Sequence, residues 1–280
     1  MISKAQVKTL LTHLFLIAFG LLMIFPLLYL FFGTFKGNLE LFTSPKLLPE
    51  VFSFNAYRDG WIANKQYTYT TFFANTFAMT IPVVLFTMAS CSIVAYGFSR
   101  FEFWGRKVFF SLMIATLMLP NAVIIIPRYL IFSGLGWLNS YLPFYVPAMF
   151  ACYPFHIFML IQFMRGLPRE LDESAHIDGC SALGVFLKIL LPLLKPALFT
   201  VGLMQLMATW NDFFNPLIYI NSVRNYPLAL ALRMSLELGS EIQWANVLAM
   251  SLLSISPLMI IFFSAQKYFV EGIATTGLKG

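Results

Sequence analysis

Apolar positions along this chain gather into long runs separated by short polar stretches. Six runs extend approximately over 10–32, 72–98, 108–132, 142–164, 197–220 and 245–263. A bilayer core of about 30 Å needs roughly 20 helical residues to cross it, so each run predicts a spanning helix and the chain predicts an all-α polytopic membrane protein. Five connections lie between them: a long polar loop (34–71), a short basic one (99–107), a Gly-containing turn (133–141), a charged segment (165–196) and a polar loop (221–244). The runs leave no stretch long enough for a separate soluble domain, and a single transmembrane domain over 1–280 is expected. The first run follows Lys4 and Lys8 in the manner of a signal peptide. At roughly 22 residues it is longer than a signal peptide's apolar region, so it predicts a retained span.

Composition sharpens this picture. Only 11% of residues are charged, 59% are hydrophobic and the mean hydropathy is +0.78. Soluble domains carry roughly 25% charged residues, so this chain lacks the polar surface a water-soluble core of its size needs, and 31 Phe with 14 Met exclude disorder. The net charge of +6 bears first on orientation. With the N-terminus in the cytoplasm, 11 Lys and Arg fall on the inner side and 7 on the outer, four of the latter in the long 34–71 loop, where charge orients least. Both termini are therefore expected in the cytoplasm. No basic run suggests nucleic acid as a partner. Cys91 and Cys152 lie in apolar runs and Cys180 in a polar loop, without the spacing of a disulfide framework or a metal site.

Polar residues inside the runs mark a candidate translocation path. Proline frees the carbonyl four residues earlier, which in lipid must be satisfied by protein or cavity water. Pro120 is followed by Asn121, and Pro216 follows Trp210, Asn211, Asp212 and Asn215. Asp212 is the sole acidic residue within a run, about two thirds along the fifth; a carboxylate at that depth costs several kcal/mol unless paired, hydrated or protonated. It either lines a path or caps a broken helix. Asn75, Asn121, Trp210, Asn211, Asp212 and Asn215 are the candidate pore or substrate-path residues. His156 reads as a packed, hydrogen-bonded core residue. Catalytic constellations and metal-ligand clusters are absent, and no Gly-Lys dipeptide occurs, which excludes a Walker A phosphate loop. Transport driven by ATP would need another chain to hydrolyse it; a proton-coupled secondary transporter using Asp212 would not.

The charged segment has its own pattern. Pro168 suits a first helical position, Glu170, Asp172 and Glu173 follow where the helix dipole favours negative charge, and Gly179 supplies a stop. A second helix is expected from about Ser181 to Leu191, ended by Pro192 and Pro196. The two predict a compact knob in which Ser174, Ala175 and Gly179 allow another surface to approach closely.

Glu173-Ser-Ala-His-Ile-Asp-Gly179, followed by Ile189-Leu-Leu-Pro192 and Pro196, resembles the cytoplasmic "EAA" signature of permease subunits of binding-protein-dependent ABC importers. Ser174 stands where the family usually has Ala, as does Cys180; both replacements are small. Trp210-Asn-Asp-Phe-Phe-Asn-Pro-Leu217, Pro26 with Thr34-Phe-Lys36, and the tail from Tyr268 to Gly280 resemble the carbohydrate-uptake branch, in particular its smaller, maltose-type permease subunit. The resemblance spans essentially the whole chain. It implies a type I importer permease fold of six spans, with a coupling helix in the 165–196 loop and Glu173, Ser174, Ala175, Asp178 and Gly179 at the contact with an ATPase. It also implies a second, different permease subunit, two ATP-binding cassette subunits, an extracellular or periplasmic solute-binding protein, a carbohydrate as cargo, and a place in a prokaryotic cytoplasmic (inner) membrane. No cofactor is expected on this chain, ATP and Mg belonging to the ATPase.

Overall fold

A computed structural model describes residues 4–62, 66–237 and 242–277, and no strand occurs among them. Three helices are long and apolar enough to cross a membrane unbroken: within α1 (Lys4–Gly33), α4 (Tyr69–Arg100) and α15 (Trp244–Gly277). A fourth span, Leu142–Arg165, consists of α7 (Leu142–Met149) and α8 (Pro154–Arg165). Two bent helix pairs bring the number to as many as six.

One bend falls inside an apolar run that predicts a single straight span, and the other lies just before such a run. The run over 108–132 is divided into α5 (Arg106–Thr116) and α6 (Asn121–Gly134), bent by 104°. Pro120 causes the break: it lacks an N–H, disfavours helical backbone at Leu119, and itself adopts an extended ψ of 139° at the helix N-cap. The run over 197–220 is occupied by α12 (Lys195–Trp210), which pairs with the preceding helical stretch Ala182–Leu193 across a 75° bend. Asn211 ends α12, and a short α13 (Phe214–Tyr219) follows. Asp212 therefore stands in a break beyond the end of the span, where Pro216 cannot return a hydrogen bond to its carbonyl.

The described residues fall into two compact units. One comprises the residues up to Thr71 with Ala231–Pro257. Here α1 presents Leu11, Leu14, Ile17 and Leu21 at more than 60% exposure, which only lipid or a partner can cover. Beyond it, α2 (Asn38–Thr43) and α3 (Asn55–Trp61) fold around Phe35, whose ring packs edge-on or tilted against Phe52, Phe54 and Tyr57. Lys36 is buried, donates to the Lys46 carbonyl and lies 5.8 Å from the Tyr29 ring centroid. Asn38 accepts from the Trp244 N–H at 2.8 Å.

The other unit comprises Phe72–Leu230 and the residues from Leu258 onward. One of its cores joins Cys91, Ala95 and Tyr96 of α4 to Leu160, Ile161 and Met164 of α8 and Val201 of α12. Ala175, Val185, Phe186 and Leu190 belong to the same cluster, so the loop after α8 is packed against the helices it connects. A second core gathers Met79, Phe132, Phe144, Ala148 and Tyr219.

Candidate functional site

The charged segment folds as the helix-turn-helix its sequence suggests, with shifted limits. α9 runs Glu170–Ile177 with Glu170, Asp172 and Glu173 in its first turn. Pro168 lies before the helix, not at its first position, because Arg169 holds the N-cap. At the C-terminus Gly179 takes φ +81, its N–H donates to the His176 carbonyl at 3.0 Å, and the Cys180 N–H donates to the Ala175 carbonyl at 2.9 Å. These two bonds form a Schellman cap, which needs a left-handed residue at the position Gly179 occupies. Ser181 restarts the chain as a helix: its Oγ accepts from the Gly184 N–H at 3.2 Å.

The second helix continues past Pro192 instead of ending there. α10 (Ala182–Val185) passes into a π-helical turn over Phe186–Leu190 and then α11 (Leu191–Leu193). The widened turn places Leu191 N–H on the Phe186 carbonyl, five residues back. The stop comes at the bend before α12, whose first turn accepts Pro196 at no hydrogen-bond cost.

Burial divides the signature residues. Ala175 is buried in the core, while Glu173, Ser174, Asp178 and Gly179 are exposed, and Ser174 Oγ donates back to the Glu170 carbonyl at 2.7 Å. Ala175 thus anchors the knob, and the others remain free to meet another surface. Ile177 at the tip is 86% exposed. Sequence reasoning missed the fastening at the base: Arg100, at the end of α4, holds Asp172 at 2.7 Å, with the two side chains 7% and 15% exposed. Arg100 also donates to the Leu167 carbonyl at 3.2 Å, and Tyr96 Oη donates to the Ala182 carbonyl at 3.0 Å. In the sequence Asp172 reads only as a helix-start charge, and a pairing with Arg100 across 72 positions leaves no local signal.

The candidate path residues separate into two groups. Asp212 and Asn215 line a cavity of about 730 Å³. Asp212 also caps the break: Oδ1 accepts from the Asn215 N–H at 3.1 Å and Oδ2 from Asn215 Nδ2 at 2.8 Å. The sequence reading of Asp212 as the cap of a broken helix describes this arrangement. Asn75, Asn121, Trp210 and Asn211 do not line that cavity. Asn75 Nδ2 donates to the Arg224 and Tyr226 carbonyls, Asn211 Nδ2 to the Met207 carbonyl, Asn121 opens α6 on the surface, and the Trp210 ring sits edge-on to Phe77. His156 is buried and hydrogen-bonded to Gln205 Oε1 at 3.0 Å, as expected, and it lines the same cavity. Cys152 lines it too and is exposed, whereas Cys91 is buried; the break after α7, with Ala151 at φ +54, turns Cys152 and Tyr153 inward.

Residues 89–274 match the family described as binding-protein-dependent transport system inner membrane component. The chain belongs to that family. Among relatives of this inner membrane component is the arabinooligosaccharides transport system permease protein AraQ of Bacillus subtilis, 32% identical over 270 residues, covering 95% of this chain and 94% of the relative. The probable ABC transporter permease protein YurM of the same organism is 32% identical over 95% of this chain and 87% of its own. The trehalose/maltose transport system permease protein MalG of Thermococcus litoralis is 32% identical over 76% of each chain. The fold is that of a chain in the crystal structure of a bacterial ABC transporter involved in import of the acidic polysaccharide alginate: TM-score 0.84, 24% identity, 96% of this chain and 99% of that one. This inner membrane component is thus a type I importer permease in fold, and its helix-turn-helix knob lies within the matched residues.

Proposed function

We propose that this chain is one of two different permease subunits of an ATP-driven importer, and that its knob over 165–196 docks on a separate ATPase. The observation that carries this reading is the knob itself. Its tip is capped by a left-handed glycine and exposes Ile177, while its base is locked to α4 by the Arg100–Asp172 ion pair, so a push at the tip reaches a spanning helix. Loops that merely connect spans have no need of such a brace. ATP-driven closure of two ATPase subunits draws the two knobs together and tips the permease pair from inward-facing to outward-facing, where an extracellular binding protein delivers the solute. ATP and Mg stay on the ATPase, and both termini lie in the cytoplasm. The relatives named for arabinooligosaccharides, trehalose/maltose and galactooligosaccharides support a carbohydrate as the cargo.

Affinity purification of the chain from membranes, with its genomic neighbours expressed alongside, tests the reading. Recovery of an ATPase with the wild type and its loss with Glu173→Lys, while the partner permease is still recovered, is the expected result. Equal ATPase recovery and equal sugar uptake for wild type, Glu173→Lys and Gly179→Pro overturn the docking assignment.

A further inference from the structure

The ends of α4 and α8 and the start of α5 enclose another cavity, of about 740 Å³, at the end of these helices that carries the knob. Its floor is aromatic: Phe98 meets Phe103 and Phe110 at 5.6 and 6.1 Å between ring centroids. Gly105 takes φ +79 between α4 and α5, and a Cβ there would lie 3.0 Å from the Phe109 ring, so the turn closes tightly against the cavity wall. On the lining, Trp104, Val108 and Phe109 are 93%, 61% and 50% exposed.

Charge on this wall is unbalanced. Arg106 is spent, since its guanidinium donates to the Phe98 carbonyl at 2.7 and 3.1 Å and pairs with Glu102. The hydrogen bond from Arg106, with its charge, holds the Glu102 carboxyl below the usual carboxylate range, so Glu102 is ionised and already answered. Lys107 and Arg165 are exposed and form no ion pair within 4.0 Å among the described residues. Arg165 lies 5.5 Å from the Phe110 ring centroid. Attraction to a ring face leaves the in-plane fork of guanidinium N–H donors in want of an acceptor.

Two uncompensated cations beside an aromatic floor suit an occupant that is anionic at one end and apolar at the other. A soluble anion would answer the cations and leave Trp104, Val108 and Phe109 in water. A phospholipid with an ammonium headgroup would bring a further cation to Lys107 and Arg165, and the carboxylate that could receive it is held by Arg106. The cavity stands at the ends of membrane-crossing helices, the depth at which headgroups lie and exposed Trp is at home, and basic pockets between such helices suit anionic headgroups.

We propose that this cavity holds an anionic phospholipid of the adjoining leaflet, with Lys107 and Arg165 on its phosphate and Trp104, Val108 and Phe109 along the upper part of its acyl chains. The site belongs to this subunit and needs neither ATP nor transported solute.

The full transporter is reconstituted in phosphatidylcholine nanodiscs containing a trace of phosphatidylglycerol with a photoactivatable diazirine near the top of one acyl chain, and adducts are mapped by peptide mass spectrometry. Adducts within 101–110 are expected, displaced by unlabelled phosphatidylglycerol and not by inorganic phosphate, and at least about fivefold fewer from a phosphatidylcholine probe of the same chain. The half-displacing concentration of phosphatidylglycerol should rise about fivefold in Lys107→Gln and in Arg165→Gln, each having lost one cation beside the headgroup. Lys107→Arg and Arg165→Lys, which keep the charge, should stay close to the wild type. Lys188→Gln removes an exposed cation outside the cavity and should change nothing. Recovery of the partner permease and the ATPase from the same samples reports folding and assembly. Equal labelling by the two probes overturns the proposal, as does displacement by inorganic phosphate. An equal effect of Lys188→Gln assigns the attraction to general surface charge and overturns the site. Labelling that appears only after the ATPase is stripped away shows that the ATPase covers this surface, and overturns it too.

Discussion

Removing the Asp172 charge isolates the brace between the knob and α4. In Asp172→Asn the side chain keeps its size and can still accept one hydrogen bond, but Arg100 loses its counter-charge while remaining 7% exposed. Exposed ion pairs are worth about 0–1 kcal/mol, whereas stripping one partner from a buried pair costs about 3–5 kcal/mol. At 15% exposure Asp172 retains some water, and Arg100 keeps the Leu167 carbonyl at 3.2 Å, so the cost should fall near the lower bound, about 3 kcal/mol. Spent on the equilibrium between a seated and a loosened knob, that is roughly a hundredfold change in the ratio. Hydrogen exchange across α9 in the purified transporter reads it directly: amides of Glu173–Asp178 should exchange on the order of a hundredfold faster, with α4 and α8 unchanged. The exchanged pair Arg100→Asp with Asp172→Arg should recover much of the protection. Wild-type exchange in α9 of Asp172→Asn would refute the reasoning, since the pair would then hold nothing in place.

Other outcomes follow from the same geometry. Gly179→Ala puts a Cβ into open space but at φ +81, a strain of about 1–2 kcal/mol, and should lower uptake partially; Gly179→Asn, which tolerates the left-handed region, should retain more, and Gly179→Pro, whose ring fixes φ near −65°, should retain least. Ala175→Leu overpacks a core position and should lower thermal stability of the knob by about 1–3 kcal/mol, seen as early protease cleavage within 165–196 on warming. Cys180 should react with an impermeant thiol reagent in inside-out vesicles and not in intact cells; labelling from outside intact cells reverses the orientation. Asp212→Asn keeps the shape and one of the two bonds accepted from Asn215, since an amide has a single acceptor oxygen, and should leave uptake partly intact with an unchanged pH dependence; uptake driven by a proton gradient without ATP, and abolished by this variant, would contradict an ATP-driven importer.

Much of the local structure was legible because it depends on residues close in sequence. The apolar runs mark the spans, the acidic first turn and Gly179 mark α9, and Ser181 marks the next helix, since dipole, cap and turn preferences act within a few residues. Pro120 could be read as a kink, but its size, 104°, depends on how α6 packs, as with Phe132 against Tyr219 at 5.3 Å between ring centroids. Leu191 and Pro192 looked like a helix end because a proline removes one bond; the π turn before it absorbs the loss. The long-range pairings of Arg100 with Asp172 and of His156 with Gln205 join residues 72 and 49 positions apart and have no periodic signature. Asn75 has long-range partners that are equally hidden in the sequence. Its polar side chain in an apolar helix suggested a path, and it holds the carbonyls of Arg224 and Tyr226, 149 and 151 positions away.

The docking of the knob on an ATPase is tested most directly by a cross-link from its tip. With the three native cysteines replaced by serine, Ile177→Cys places a thiol at the 86% exposed apex of α9. A short bismaleimide added to membranes of the assembled transporter should join this cysteine to the ATPase subunit in one adduct. A control cysteine at Leu14, on the lipid-exposed face of α1, should give no such product. An ATPase that co-purifies with the chain yet never cross-links to position 177, in any nucleotide state, would contradict the account.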